Sequence, residues 1–225
     1  MVGKQQVTVA VIGGTGNLGS ALARRWAAAG YTVIIGSRSA EKGSRAAREI
    51  AQAAAGANLS AATNVAAAQA ADIVVLTVPF THHRAILEMT RVAVQGKILV
   101  DTTVPLVPPR VARVQLPKEG SIAKATQEYL GKNVRVVSAF KTVAASRLHS
   151  DATYIDLDVL VCGNDPDARQ SVIELVESAG LKGWHAGAID NSAASEALAS
   201  VLIFLNMRYN LSGAGLRIVG EEQEG

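Results

Sequence analysis

Residues 11–19 read Val11-Ile12-Gly13-Gly14-Thr15-Gly16-Asn17-Leu18-Gly19. An apolar run at positions 7–12 leads into them, and an Ala-rich, helix-compatible stretch at 18–29 follows. Gly14, Gly16 and Gly19 satisfy a G-x-G-x-x-G spacing in which each glycine has a steric task. Gly14 permits a tight turn, Gly16 lets a pyrophosphate approach the backbone, and Gly19 lets helix and strand pack closely. Phosphates in such a turn face free N–H groups and the positive end of a helix dipole. The strand–turn–helix context gives the motif its weight, and a dinucleotide site is expected here.

Outward from this motif, short β-branched runs alternate with Ala-rich helical stretches. Strands are expected at 7–12, 32–35, 73–78, 97–101, 134–139 and 158–161, and helices at 18–29, 41–55, 82–94, 122–130 and 167–179. Gly30 and Gly180 stand where C-terminal caps belong, and Asp165-Pro166 reads as an N-cap followed by Pro at the first helical position. Several strands are apolar on consecutive residues, as parallel strands covered on both faces are. The expected fold is α/β: a Rossmann-type doubly wound, mostly parallel sheet in a single domain over 1–225. Residues 190–225 form a short C-terminal helical extension in this reading. Its stretch 192–209 is apolar on most faces, which points to a homo-oligomer, a dimer or larger. Residues 103–120 carry Pro105, Pro108, Pro109 and Pro117, and an irregular stretch that long is usually functional.

The second expected strand identifies the dinucleotide. NAD sites usually end it with a carboxylate that accepts hydrogen bonds from the ribose 2′-OH. Here the strand runs into Ile35-Gly36-Ser37-Arg38, with Lys42 following. Arg38 can grip a 2′-phosphate bidentately and stack on adenine, and Lys42 adds a point charge, so the expected cofactor is NADP(H). Thr77-Val78-Pro79-Phe80 closes the strand at 73–78, where the strand order of such sheets reverses, and its backbone should border the nicotinamide-side ribose. His82 and His83 follow at a helix start, where a histidine is usually exposed but can touch cofactor or substrate.

Composition narrows the rest. With 49% hydrophobic and 18% charged residues, the chain has ample material for a core. Only 4% of residues are aromatic, too few for base-stacking platforms, and a net charge of +3 with scattered Lys and Arg gives no nucleic-acid footprint. The one cysteine, Cys162, lies in an apolar run, which suits a buried strand residue and a reducing, cytoplasmic setting. The first six residues lack the pattern of a signal peptide, and the apolar segment 197–205 is too short to span a bilayer.

No catalytic residue is assigned. Tyr129 and Lys132 are three apart rather than four, there is no G-x-S-x-G elbow, no His/Cys cluster fits a metal, and the carboxylates show no obvious acid/base pair. Hydride transfer between two preformed carriers needs little beyond position and exclusion of water. The poverty of acid–base residues fits such a reaction between NADP(H) and a small-molecule redox carrier without singling it out. An NADPH-dependent reductase of flavin, ferric iron or an imine and a non-catalytic NADP(H) sensor are the alternatives.

The sequence resembles the F420-dependent NADP oxidoreductases. The likeness is carried by residues 11–19, by Ile35-Gly36-Ser37-Arg38 and by Leu76-Thr77-Val78-Pro79-Phe80. It continues in Val136-Val137-Ser138-Ala139-Phe140, Asp158-Val159-Leu160-Val161-Cys162-Gly163, Leu205-Asn206-Met207-Arg208-Tyr209 and Ala214-Gly215-Leu216-Arg217-Ile218, spanning nearly the whole chain in order. The resemblance implies hydride exchange between NADP(H) and the deazaflavin coenzyme F420 as co-substrate. It implies that Thr15, Gly16, Asn17 and Leu18 hold the pyrophosphate side and that Ser37, Arg38 and Lys42 hold the 2′-phosphate. Val78, Pro79, His82, Val104 and Ala144 are the further cofactor-binding positions it suggests, with Lys141, Thr142 and Arg208 on the substrate side. Lys141 stands where the family carries a His. There it would face the deazaflavin ring or the negative tail of F420, or mark a member with another acceptor such as a flavin.

Overall fold

A computed structural model describes residues 7–53 and 58–221 of the chain. The readings for residues 1–6, for positions 54 and 55 of the expected second helix, and for the last four residues of the domain lie outside the described residues.

The glycine motif joins β1 (Thr8–Ile12) to α1 (Asn17–Ala28), and β2 (Thr32–Ser37) and α2 (Ala40–Ala53) follow. Next come β3 (Leu59–Thr63), α3 (Asn64–Ala70), β4 (Ile73–Leu76), α4 (Phe80–Thr90) and β5 (Ile98–Asp101). After a long irregular segment the chain forms α5 (Ile122–Leu130), β6 (Arg135–Ser138) and the single turn α6 (Ala145–Leu148). It closes with β7 (Asp158–Gly163), α7 (Pro166–Ser178), β8 (Lys182–His185) and α8 (Ser192–Tyr209). One eight-stranded sheet results, in the order β3-β2-β1-β4-β5-β6-β7-β8. All pairings are parallel except β6–β7. Both neighbours of β1 run parallel to it, so the order reverses between β1 and β4 and a crevice opens at their C-terminal ends.

Helices cover both faces of the sheet, which is why β4 and β5 are buried at every residue and read as unbroken apolar runs. One core layer gathers Val9, Val11, Leu22, Val33, Ile35 and Val75, and the other gathers Ala10, Ile12, Val74, Leu76, Ile86 and Leu99. Trp26 anchors the first: its Nε1 donates to Leu175 O at 2.8 Å, and its ring meets Phe140 edge-on at 5.9 Å.

Two strands were not expected, and both lie at sheet edges. β3 mixes half-buried and exposed residues and has no fully buried one, and β8 begins with an exposed lysine. Such strands are defined by the neighbour they pair with more than by their own hydrophobicity. The expected strand 73–78 stops at Leu76, since Val78-Pro79 turns into α4, which begins two residues before the expected start.

Candidate dinucleotide and hydride-transfer site

A cavity of about 510 Å³ opens at the C-terminal ends of β1, β2 and β4. Its floor is the turn 13–16, closed by Gly14 N donating to Val11 O and Gly16 N to Gly13 O. A methyl group at Gly19 would meet Thr77 Oγ1 at 2.5 Å and Gly14 Cα at 2.8 Å, so only glycine lets α1 sit this close to β4. Side chains cap α3, α5 and α7 through Thr63, Ser121 and Asp165. No side chain caps α1, whose N-cap is Gly16. Its first-turn amides therefore remain available to an anion. Thr15 and Gly16 line the cavity, while Asn17 and Leu18 belong to that first turn and are not among the residues that line it.

Ser37, Arg38, Ser39 and Lys42 form the cationic end of the same cavity. Two serines shape it: Ser37 Oγ accepts from Ser39 N at 3.2 Å, and Ser39 Oγ accepts from Lys42 N at 3.3 Å. Among the described residues no carboxylate lines this end. Asn64, at the start of α3, lines the cavity too, although nothing in its surrounding sequence marks it. The opposite wall is Val78, Pro79 and the α4 residues His82, Ala85, Ile86 and Met89.

The two histidines separate. His82 is exposed at the cavity rim. His83 departs from the first-turn expectation: it is buried, with Nε2 2.9 Å from Asp101 Oδ2. One residue of helical rotation, about 100°, accounts for the difference.

His83 belongs to an enclosed charged cluster that sequence spacing did not reveal. Asp101 Oδ2 accepts from Thr126 Oγ1 at 2.8 Å, and Oδ1 accepts from Thr103 N at 2.9 Å. Lys141 Nζ donates to Thr103 O at 2.5 Å and to Glu196 Oε1 at 3.0 Å, and it lies 3.6 Å from Asp101 Oδ1. Glu196 also accepts from the backbone N–H groups of Ile122 and Ala123, so its carboxylate sits at the positive end of α5. Burial alone would raise the Asp101 carboxyl. Lys141, then His83 and the Thr103 amide, outweigh it and hold Asp101 far below the usual carboxylate range. The residues come from positions 83, 101, 126, 141 and 196, so only the fold makes them neighbours.

Lys141 is thus neither a surface lysine nor an ammonium projecting toward a ligand; its side chain is fully enclosed and its head group is held by inward partners. Phe140, in a left-handed conformation at φ 59°, lies two residues beyond β6 and immediately precedes Lys141. Lys141, Thr142 and Ala144 line a second cavity of about 210 Å³, together with Val104 and Asn206. Thr103 stands between the two spaces, its carbonyl on Lys141 and its hydroxyl 3.5 Å from Val78 O. Arg208 lines neither cavity and is exposed on the last turn of α8, so the structure does not bring it to the other substrate-side residues. Cys162 is buried, as expected, and burial pushes its thiol up to about 11 against the opposing pull of Lys141 and Arg169.

The profile of a family described as "NADP oxidoreductase coenzyme F420-dependent" matches residues 8–105. A curated F420-dependent NADP reductase of Methanothermobacter thermautotrophicus is 38% identical, with both chains covered in full. One from Methanocaldococcus jannaschii is 35% identical over 95% of this chain and 99% of that one. A crystal structure described as a putative F420-dependent NADP reductase of Arthrobacter sp. FB24 superposes with a TM-score of 0.78 at 26% identity, covering 95% of this chain and all of the other.

Proposed function

On the premise that this chain belongs to the F420-dependent NADP reductases, which its full-length relatives establish, we propose that it binds NADP(H) in the larger cavity and passes a hydride between it and coenzyme F420. The chemistry resides in the two carriers: a hydride moves between nicotinamide C4 and deazaflavin C5. The observation that carries this reading is the pairing of an uncapped α1 N-terminus with a carboxylate-free cationic tip on β2 in one cavity.

The chain's own residues bind, orient and shield. First-turn amides of α1, reached across Thr15 and Gly16, suit a diphosphate, and Arg38 and Lys42 suit the additional 2′-phosphate. Val78 and Pro79 with the apolar face of α4 exclude water along the wall leading to the second cavity. Val104, Thr142 and Ala144 place a small, mostly neutral surface where the two carriers would meet. Lys141 acts from behind this surface, fixing Thr103 and α8. A transfer that requires position above all asks no proton transfer of the lining residues, His82 at the rim of the larger cavity included. Exposed Phe204, Met207 and Tyr209 on α8, with Leu211, Ile218 and Val219 beyond it, support a homo-oligomer that covers this end. A lone buried thiol fits a reducing, cytoplasmic setting. No helix among the described residues is long and apolar enough to cross a membrane.

The experiment is to mix the protein with NADPH and oxidised F420 and follow deazaflavin absorbance. Bleaching that depends on enzyme, and proceeds far more slowly with NADH, is the expected result. Reduction of free flavin or ferric chelate while F420 stays oxidised would overturn the proposed acceptor.

A further inference from the structure

Among the described residues that line the second cavity, only Lys141, Thr142 and Asn206 carry polar side chains. The Lys141 ammonium is already held by Thr103 O and the Glu196 carboxylate. Thr142 is 6% exposed, yet its hydroxyl is neither sealed nor bonded to another of the described residues. Asn206, in the last turn of α8, is half-engaged: its Oδ1 accepts from Ala214 N at 3.0 Å. A backbone N–H can only donate, so the carboxamide oxygen faces Ala214 and the amino group is turned elsewhere. Ala214 is itself a fixed partner. Gly215 packs on Leu157 with no room for a methyl group, and Leu216 O accepts from Asp158 N, so this stretch lies tightly against the start of β7. Asn206 Nδ2 has no partner among the described residues and is open to solvent, where water satisfies it at little cost. Asn206 thus presents one neutral donor of preset orientation on the wall of a mostly apolar cavity, the kind of group that orients a bound molecule.

We propose that Asn206 orients the acceptor, donating from Nδ2 to a carbonyl oxygen on the pyrimidinedione edge of F420, with the Thr142 hydroxyl as a second partner of that edge. This rests on F420 being the acceptor and on its ring entering the second cavity. The chemistry of the wall selects this edge over other parts of the coenzyme. The anionic tail would need an open cation, and the one lysine here is already engaged. A pyrimidinedione carries two carbonyl acceptors flanking an N–H on a flat, uncharged edge, which a carboxamide donor and a hydroxyl can pair with. At about 210 Å³ the cavity is smaller than a pocket that encloses a whole coenzyme, and it suits one ring edge. Asn206 moves no proton in this account. It fixes the rotation of the ring in its own plane, and with it the approach of C5 to nicotinamide C4.

The test titrates oxidised F420 into protein loaded with NADP+, where no hydride can move, and follows coenzyme fluorescence. Asn206→Asp is the decisive variant: it keeps an oxygen for Ala214 N and replaces the donor by a carboxylate oxygen that repels a carbonyl. F420 should bind at least about tenfold more weakly, while NADP+ affinity and the thermal midpoint stay near wild type. Asn206→Ala deletes the donor and the Ala214 contact together, and it should weaken F420 no more than Asn206→Asp does. Wild-type F420 affinity in Asn206→Asp would overturn the inference, and a loss seen only in Asn206→Ala would show that the side chain serves to hold Ala214. An equal loss of F420 and NADP+ affinity would overturn it too. If Asn206→Asp failed to fold, Asn206→Ala would decide. Wild-type F420 binding would overturn the proposal, and binding about tenfold weaker at an unchanged midpoint would support it. A wild-type protein that bound NADP+ and not F420 would remove the acceptor itself, a result distinct from each of these.

Discussion

Arg38 lies at the tip of β2 where a carboxylate would suit an unphosphorylated ribose, and Ser37, Ser39 and Lys42 complete a cationic rim. Charge-assisted bonds to phosphate contribute about 1.5–3 kcal/mol each, so Arg38→Ala should weaken NADPH binding at least about tenfold. NADH affinity should hardly move, and titration of both coenzymes by fluorescence checks the contrast. An unaltered NADPH-to-NADH preference would remove Arg38 from the site. That these residues line one cavity was legible because they stand at adjacent positions around one strand end. Asp101 was not: its partners His83, Thr126 and Lys141 come from three other elements. Since its carboxyl is held below its ordinary value in the fold, its ion pairing stabilises the protein fully above the ordinary carboxylate pKa, about 4. That contribution is lost as pH falls from there toward the lower folded value. Asp101→Asn should cost about 1–3 kcal/mol at neutral pH by removing the charged acceptor that faces His83, Thr126 and the Thr103 amide, while Lys141 keeps Glu196 as its counter-charge. Denaturant melts of the variant between pH 5 and 3 should also show a shallower decline than wild type. Parallel curves would mean that other carboxylates dominate acid unfolding.

At the scale of elements, α1 and its turn illustrate how a motif converts into geometry. Gly19 sits where helix α1 passes Thr77 and the Gly13–Gly14 backbone, with room for a hydrogen and nothing larger. Gly19→Ala should therefore force α1 away from the turn and weaken NADP(H) binding even though no phosphate contact is deleted. A thermal midpoint lower by several degrees, with a weaker NADPH titration, is the expected pair of results; wild-type values for both would show that α1 shifts without cost. The interior strands were readable from their apolar runs because helices cover both faces. β3 and β8 were not, since an edge strand is half solvated and its pairing partner supplies much of its definition. With β3 unseen, Asn64 at the start of α3 was invisible as well, because its position over Gly36 exists only once β2 and β3 pair through Gly36 and Ala62.

For the whole molecule, α8 is the element with two allegiances. Glu196 turns inward to cap α5 and hold Lys141, while Val201, Phe204 and Met207 face outward, Met207 at 74% exposure. The segment after it returns to β7, where Leu216 O accepts from Asp158 N and Ile218 N donates to the Asp158 carboxylate. An outward apolar face on a helix this well anchored predicts a dimer or larger in sedimentation at micromolar concentration, and Phe204→Glu with Met207→Glu should dissociate it. A wild-type monomer would refute that. Local sequence was sufficient for the parallel α/β sheet, the tight glycine turn between β1 and α1 and the cationic tip of β2, because each depends on neighbouring residues whose sterics and charge act over a few ångströms. Only the tertiary structure decided that Lys141 faces inward, that His83 joins Asp101 and that Asn64 reaches the cavity. Those outcomes depend on strand order and helix rotation, which bring together residues dozens of positions apart with no periodicity to announce them.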